Sequence, residues 1–144
     1  MTLYQIRIYH NTESRFLPYQ DGHRLTLTLS HWHHRPDSTS PEEIADWAFH
    51  TFNADLDRLE HDRTAPGGET AFLLACVYRL LRLRSLSVGD VVQITADTEH
   101  WWLACDPVGW QRIHPPDNLD GQPLTAETVY RHLTAPAGTR PAGT

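Results

Sequence analysis

Three short runs rich in β-branched and aromatic residues follow one another between residues 91 and 113. The runs cover 91–94, 101–105 and 110–113. Turn residues fill both gaps, at 97–99 and at 106–109. β-Branched and aromatic residues favour strands, whereas aspartate, proline and glycine favour tight turns. This order of runs and turns predicts a three-stranded meander.

Two further strands are indicated near the N-terminus by the alternation of apolar with more polar side chains. A period of two is typical of a strand that buries one face. The first run spans residues 4–9 and the second 25–30, and Pro18, Asp21 and Gly22 indicate a turn between them. We expect the two strands to pair. Their apolar positions are Tyr4, Ile6 and Ile8, and Leu25, Leu27 and Leu29.

Helix signals occupy the middle of the chain. Ser40 is a typical N-cap, Pro41 suits the first helical position, and Glu43 can close a capping box. Apolar residues then recur at helical spacing up to Phe52. Asn53 is predicted to end this helix in a left-handed conformation.

The remaining segments are predicted from composition. Residues 54–70 are acidic and interrupted by proline and glycine, so we expect a mobile loop there. Residues 71–83 are apolar almost all round, which predicts a buried helix. Residues 125–133 fit a short C-terminal helix, and the segment 134–144 is predicted to be a disordered tail.

Together these elements predict the α+β fold class for a single domain at residues 1–133. A small, mostly antiparallel sheet would combine the N-terminal strand pair with the C-terminal three-stranded meander. Two to three helices would pack on one face of that sheet. A length of 144 residues is common for one domain.

Charge and cysteine content narrow the classes of function. Eighteen acidic residues outnumber twelve arginines, there is no lysine, and the formal net charge is −6. Generic nucleic-acid binding uses a basic surface, so this charge argues against it. Cys76 and Cys105 are too few for a disulfide framework, and no apolar run reaches the roughly 20 residues of a membrane-spanning helix. We expect a cytoplasmic protein with no membrane contact and no cofactor.

The most distinctive string is RSLSVGDVV at residues 84–92. Gly89 supplies a backbone angle that other residues resist, and Asp90 can accept hydrogen bonds from turn amides. The string therefore indicates a tight turn that enters a strand. Arg84 lies between two apolar stretches, and it either pairs with Asp90 or faces a ligand. We expect its guanidinium to lie near the indole of Trp110.

The string and several positions around it resemble the core of a known family. The other matching positions are Tyr4, residues 48–53, Tyr78, Arg79, Cys105, Gly109 and Trp110. These features are similar to the YodL-like domain family of small bacterial proteins, which are often linked to mobile elements and also occur as modules of larger proteins. The resemblance implies a compact α+β module without an established enzymatic activity.

From these features we expect a non-enzymatic accessory or interaction module of a bacterial mobile element, with an unidentified protein as partner. Its contact surface would centre on the loop from Arg84 to Asp90 and on Trp110. No nucleophile–base pair, phosphate loop or paired-carboxylate signature is visible in the sequence, so no catalytic residue is assigned. The predicted binding residues are Asn53, Tyr78, Arg84, Ser85, Ser87, Asp90 and Trp110.

The alternative hypothesis is a nucleic-acid-binding regulator in which arginines contact phosphates and aromatic rings stack on bases. Equally, arginines at the end of a helix complement its negative terminus, and tryptophans are often core residues. Trp101 and Trp102 are adjacent and must face opposite sides of a strand. The candidate residues are Arg79, Arg82, Arg84 and Arg112 with Tyr78, Trp101, Trp102 and Trp110.

A third hypothesis is a small metal-dependent hydrolase in which Asp90 and Asp106 hold the metal. His31 and His33 are weaker metal candidates, because they would share one face of a strand. The other interpretation of the HWHH segment at 31–34 is an exposed strand end. A third ligand for the two histidines would come from His10, His23 or Asp37.

Overall fold

The computed structural model describes residues 1–122 together with 124 and 125, and this part of the chain forms six strands and three helices. The strands are β1 (Thr2–Asn11), β2 (Leu25–Arg35), β3 (Val91–Ala96), β4 (Glu99–Asp106), β5 (Gly109–Arg112) and β6 (Leu119–Asp120). The helices are α1 (Pro41–Asn53), α2 (Leu56–His61) and α3 (Gly68–Leu80).

All six strands form one sheet in the order β5-β4-β3-β1-β2-β6. The N-terminal pair and the C-terminal meander join because β1 pairs antiparallel with β3, where Ile6 lies opposite Ile94. Four of the five strand pairs are antiparallel, and only the short β2–β6 pair is parallel. The predicted α+β class and the mostly antiparallel sheet are confirmed.

The helices cover one face of the sheet. The main core on that face joins sheet residues such as Ile6 and Ile94 to helix residues such as Ala48 and Val77. The second cluster contains no helical residue and lies on the opposite face, because its members alternate with those of the main core along β3 and β4. Its buried members are Tyr9, Leu25, Leu27, Val91, Trp102 and Ala104.

A β-bulge in β2 makes this strand contribute to both clusters. Ile8 lies opposite Leu29 and Tyr9 lies opposite Leu27, which leaves Thr28 as the extra residue. Strict alternation would place Leu27 and Leu29 on the same face of the sheet. Instead, Leu27 belongs to the second cluster and Leu29 to the main core. The strand also continues to Arg35, beyond the predicted end at residue 30.

The start of α1 is as predicted, but its end is not. Oγ of Ser40 accepts a hydrogen bond from the N–H of Glu43 at 3.1 Å, and Pro41 occupies the first turn. The helix ends because Ala54 is extended, with φ −72° and ψ 157°. The prediction of a left-handed Asn53 is therefore wrong, and the side chain of Asn53 has a different role, described below.

The segment 54–70 is not one continuous loop. Asp55 caps α2 by accepting a hydrogen bond from the N–H of Asp57 at 3.1 Å. The next helix, α3, begins at Gly68. A Cβ at this position would lie 2.0 Å from the carbonyl oxygen of Asp62. Only glycine allows this close approach between the end of α2 and the start of α3.

The end of α3 also differs from the predicted boundary at Leu83. The helix ends at Leu80, and Arg82 adopts the left-handed conformation with φ 55°. The N–H of Arg82 bonds to the carbonyl of Arg79, and the N–H of Leu83 bonds to that of Tyr78. This pair of bonds is a Schellman motif, which usually has glycine where this chain has arginine.

The meander is confirmed with slightly wider bounds than predicted, as β3, β4 and β5. No helix in the described part of the chain is long and apolar enough to span a membrane. The predicted C-terminal helix at 125–133 and the predicted tail at 134–144 lie outside the described residues, apart from Thr125, which bridges to Ser30.

Candidate binding site beside Arg84

A buried ion pair organises the loop between α3 and β3. Nη1 of Arg84 lies 2.6 Å from Oδ2 of Asp90, and Nη2 lies 2.7 Å from Oδ1. The carboxylate also accepts hydrogen bonds from the backbone N–H groups of Asn11 and Ser87, each at 2.9 Å. Asp90 is fully buried, and its hydrogen bonds raise the pKa of Arg84. The pairing of Arg84 with Asp90, one of two predicted options, is confirmed.

The turn that carries Asp90 depends on glycine. The N–H of Asp90 bonds to the carbonyl of Ser87 at 3.0 Å, and Gly89 has a φ of 98°. This conformation disfavours other residues at the third position of such a turn. A Cβ at Gly89 would also lie 2.4 Å from the carbonyl oxygen of Leu17. The predicted tight turn into β3 is confirmed.

Asn53 attaches the loop to α1. Its Nδ2 donates to the carbonyl of Leu86 at 2.9 Å, and its Oδ1 accepts from the N–H of Leu86 at 2.7 Å. The side-chain amide thereby satisfies both backbone groups of one loop residue, as a neighbouring strand would.

Tyr78 attaches the loop to α3. Its hydroxyl donates to the carbonyl oxygen of Arg84 at 2.5 Å and lies 2.7 Å from Nε2 of His10. The hydroxyl has one proton, so Nε2 of His10 must be the donor in the second contact. Burial lowers the pKa of His10 to about 4, so its imidazole is neutral at pH 7.

Five of the seven predicted binding residues thus contribute their side chains to one hydrogen-bonded set. We call this set the Arg84 clasp: Asn53, Tyr78, Arg84, Ser87 and Asp90. Nη1 of Arg84 also bonds to Oγ of Ser87 at 3.2 Å, and Nη2 bonds to the carbonyl of Asn11 at 3.2 Å. The clasp uses its polar groups on the protein itself, so its first effect is to fix the loop.

The other two predicted binding residues lie outside the clasp. Ser85 is exposed, and its carbonyl accepts a hydrogen bond from Arg84. Nε1 of Trp110 donates to Asp46 at 2.8 Å, and its ring contacts Phe49 on α1. The guanidinium of Arg84 and the indole of Trp110 therefore make separate sets of contacts.

A cleft of about 360 Å³ opens beside the clasp, at the end of β1. None of its described lining residues is acidic. Arg84 is neutralised by Asp90, whereas Arg15 is exposed and its guanidinium lies 6.0 Å from the ring centre of Phe16. The described lining residues are His10, Asn11, Thr12, Arg15, Thr26, Thr28 and Arg84. We call this site the Arg15 cleft, and Arg15 gives it a positive charge.

The arginines of the nucleic-acid hypothesis do not form one free basic patch. Arg79 donates to the carbonyl of Ala54, Arg84 pairs with Asp90, and Arg112 makes two bonds to Glu42 at 2.7 and 3.0 Å. Arg82 lies in the Schellman motif at the end of α3. Of the proposed stacking residues, Trp102 is buried in the second cluster and Trp101 packs against the main core, so they face opposite sides of β4 as predicted.

The two metal candidates of the HWHH segment share one face, as predicted, but His31 is not exposed. His31 is fully buried and its ring lies 5.6 Å from that of Trp47, while the ring of His33 lies 4.5 Å from Trp47. Burial lowers the pKa of His31 to about 3 and that of His33 to about 4. Both ring nitrogens of His31 and Nδ1 of His33 are buried without a hydrogen-bond partner.

No set of three or more His, Cys, Asp or Glu residues suited to a metal ion occurs among the described residues. The candidate third ligands make other contacts: His10 bonds to Tyr78, His23 to Asn11, and Asp37 to Thr2. Both carboxylate oxygens of Asp90 are occupied by Arg84 and by backbone amides. This geometry gives no support to the predicted metal-dependent hydrolase.

Most of the residues that line the Arg15 cleft were not predicted as binding residues. They lie on β1, on β2 and in the connection between these strands, 56 to 74 positions before Arg84. Only their placement in the folded sheet brings them to the clasp, and no local pattern marks them.

Comparisons of this chain with protein-family models, with curated proteins and with solved structures found no match.

Proposed function

We propose that this chain is a non-enzymatic interaction module that binds an acidic segment of a protein partner in the Arg15 cleft. The observation that carries the proposal is the charge of the cleft. Its described lining includes two arginines and no acid, and Asp90 neutralises only Arg84. Arg15 is thus left to attract a carboxylate of a partner. The hydroxyls of Thr12 and Thr28 donate to the backbone carbonyls of Arg24 and Ile8.

Exposed apolar side chains beside Arg15 favour a protein over a small free anion. Phe16 is 70% exposed and Leu17 is 64% exposed, and both follow Arg15 directly in the chain. Large apolar groups flanking a charged anchor are typical of peptide-binding surfaces. A partner segment with an acidic residue next to an apolar one would match this arrangement.

The chemistry of the site favours binding over catalysis. His10 is neutral and uses Nε2 on Tyr78, while burial raises the pKa of Tyr78 away from the range of a useful base. Arg84 and Asp90 hold each other in place. None of these groups is left as an activated nucleophile.

The proposal can be tested by selecting peptides from a random displayed library on the purified full-length chain. Two charge-reversed variants would be compared, Arg15→Glu in the cleft and Arg58→Glu on α2, where Arg58 makes an exposed pair with Asp62. Both change the net charge equally. We expect selected peptides to be enriched in Asp and Glu, and to lose binding with Arg15→Glu only. No acidic enrichment, or equal loss in both variants, would contradict the proposal.

The link to a bacterial mobile element rests on the resemblance to the YodL-like domain family and stays a prediction. The nucleic-acid alternative is less well supported, since the side chains of three of its four arginines bond within the protein and the net charge is −6. A gel shift at low salt with single-stranded and duplex probes would distinguish it. A shift that weakens steeply with salt would favour nucleic acid over an acidic peptide.

A further inference from the structure

A pocket of about 280 Å³ lies at the N-terminal end of β1, and we call it the Tyr4 pocket. The strand registers place Tyr4, Ala96 and Glu99 side by side on β1, β3 and β4. Tyr4 and Ala96 belong to the main core, and Trp101 of β4 packs against it, so the pocket opens on the side of the sheet that the helices cover. The Arg15 cleft lies at the other end of β1 and shares none of the described lining residues.

Tyr4 brings a hydroxyl without a partner to this pocket. The residue is only 5% exposed, and its side chain packs in the main core. A buried tyrosine hydroxyl usually has a hydrogen-bond partner, yet that of Tyr4 makes no hydrogen bond within the described part of the chain. Its oxygen is not sealed from solvent, in contrast to Oγ1 of Thr51. Because Tyr4 lines the pocket, a molecule bound there can reach this hydroxyl.

The free charge at the pocket is negative. Asp97 and Glu99 are exposed at the two sides of the turn between β3 and β4, and neither carboxylate has a partner among the described residues. Asp37 also lines the pocket, but it is paired with the ammonium group of Met1 at 3.1 Å and accepts a hydrogen bond from Thr2 at 2.7 Å. The two unpaired carboxylates are therefore the groups that attract a cation.

The positive groups near the pocket do not cancel this charge. Pro41 lines the pocket at the N-terminal end of α1, which is positive because of the helix dipole. That end is already capped by the side chain of Ser40 and is flanked by Glu43, which bonds to Ser40. Arg35 lies on β2, on the far side of β1 from the two acids, and is not part of the described lining.

The lining is better suited to an organic cation than to a metal ion. Throughout residues 1–122, 124 and 125, no set of three or more His, Cys, Asp or Glu residues could hold a metal. Instead, the pocket has aromatic surface from Tyr4 and Trp101, and aromatic rings attract ammonium groups. A primary ammonium group also has N–H donors for the hydroxyl of Tyr4, whereas a quaternary one has none.

We propose that the Tyr4 pocket binds a small primary amine in its ammonium form. The N–H groups donate to the phenolic oxygen of Tyr4, the charge is balanced by Asp97 and Glu99, and the alkyl chain packs against Trp101. A ligand of few atoms binds with modest affinity, so we expect a dissociation constant of roughly 1–10 mM for a minimal probe. This site is independent of the proposed peptide-binding cleft.

The test uses four small probes at constant ionic strength and pH 7: butylammonium, tetramethylammonium, butyrate and 1-butanol. Each is titrated into the full-length ¹⁵N-labelled chain, and the amide shifts of residues 2–4 and 96–101 are followed. We expect saturable shifts with butylammonium and none with butyrate or butanol. Tetramethylammonium should bind at least about fivefold more weakly, because it cannot donate a hydrogen bond to Tyr4.

Three variants assign the binding to the named groups. Tyr4→Phe keeps the ring and removes the hydroxyl, so it should weaken butylammonium binding at least about fivefold and leave tetramethylammonium binding unchanged. Glu99→Gln removes one carboxylate and should weaken the binding of both cations about threefold. Glu60→Gln, at an exposed position of α2, changes the net charge equally and should affect neither cation.

Absence of saturable shifts with butylammonium would overturn the proposal. Equal affinities of the wild-type chain for the two cations would also overturn it, because the hydroxyl of Tyr4 would then be unused. Equal losses in Glu99→Gln and Glu60→Gln would overturn it as well, since only the net charge would then attract the cations. The selectivity among the four probes is measured on the wild-type chain, so it does not depend on the folding of any variant.

Discussion

Two buried polar clusters lie on the helix side of the sheet, and they treat their hydrogen-bonding groups in opposite ways. In the Arg84 clasp, the carboxylate of Asp90 accepts two bonds from a guanidinium and two from backbone amides. The other polar cluster, named here the α1 cluster, is formed by His31, His33, Trp47 and Thr51. Four of its polar atoms have no partner in the described structure. One cluster is polar and satisfied, and the other is polar and incomplete.

Buried polar residues can thus either satisfy one another or remain without partners. The charges of the clasp were the most conspicuous functional signal in the sequence, yet they stabilise a loop by binding each other. Two members of the α1 cluster, His31 and His33, are predicted only as weak metal candidates, yet the cluster contains polar atoms that lack partners in the described structure. A buried charge can therefore be fully satisfied within the protein, whereas a buried polar atom without a partner calls for an explanation of its own.

The largest expected effect comes from Asp90→Ala. It removes the only acidic partner that Arg84 has in the described contacts and leaves a mostly buried guanidinium uncompensated. We expect the free energy of unfolding in urea to fall by about 3 kcal/mol, the lower end for a broken buried pair because Arg84 is partly exposed. Asp117→Ala, at an exposed position, is the control. A loss below about 1 kcal/mol would show that the clasp does not stabilise the fold.

The next effect is a dependence on pH that the α1 cluster should produce. Burial lowers the folded pKa of His31 to about 3, below the value of about 6.5 in the unfolded chain. The free energy of unfolding is therefore unaffected by His31 above pH 6.5, and it decreases as the pH falls towards 3. Each such histidine lowers it by about 1.4 kcal/mol per pH unit, which amounts to about 2 kcal/mol at pH 5.

His31→Leu isolates that contribution. The variant should unfold with a shallower pH dependence between pH 6.5 and 5, by about one proton, and should be at least as stable as the wild type at pH 7. Urea unfolding at several pH values measures both. The same slope in the two chains would mean that His31 is hydrated or partnered in solution.

Removal of one hydroxyl from each cluster should change the free energy of unfolding in opposite directions. Tyr78→Phe removes a satisfied hydroxyl, so the carbonyl of Arg84 loses its donor and Nε2 of His10 loses its acceptor. We expect a loss of about 1–2 kcal/mol in thermal or urea unfolding. Tyr19→Phe, whose ring is only partly buried, is the matched control and should change stability little.

The smallest expected effect is a gain. Thr51→Val removes an unpartnered hydroxyl, so the free energy of unfolding should rise by about 1 kcal/mol. Thr98→Val, in the exposed β3–β4 turn, serves as control. If Thr51→Val destabilised the chain as Tyr78→Phe does, Thr51 would have a partner in solution, and the contrast between the clusters would fail.

Much of the fold follows from local sequence patterns. The period-two runs predict the strands, the segment from Ser40 to Glu43 predicts the start of α1, and the meander follows from its turn residues. The bulge at Thr28 could not be predicted, because the leucines on both sides of it are buried, each in a different cluster. The short helix α2 depends on its contacts with α3, and periodicity does not reveal those.

The candidate sites divide in the same way. The pairing of Arg84 with Asp90 was foreseeable, because a tight turn brings residues six positions apart together. The approach of Asn11 and Leu17 to that loop is non-local, so the Arg15 cleft could not be derived from a string. The status of Thr51 depends on partners that are missing, and a sequence cannot show which bonds a hydroxyl fails to make.

The extra residue in β2 has a consequence for how the domain unfolds. Because Leu27 and Leu29 point to opposite sides, this one strand cannot leave either hydrophobic layer without disturbing the other. The two layers should consequently unfold as a single cooperative unit. Amide exchange should then give the same opening free energy for β1 and β2 residues whose side chains lie in either layer.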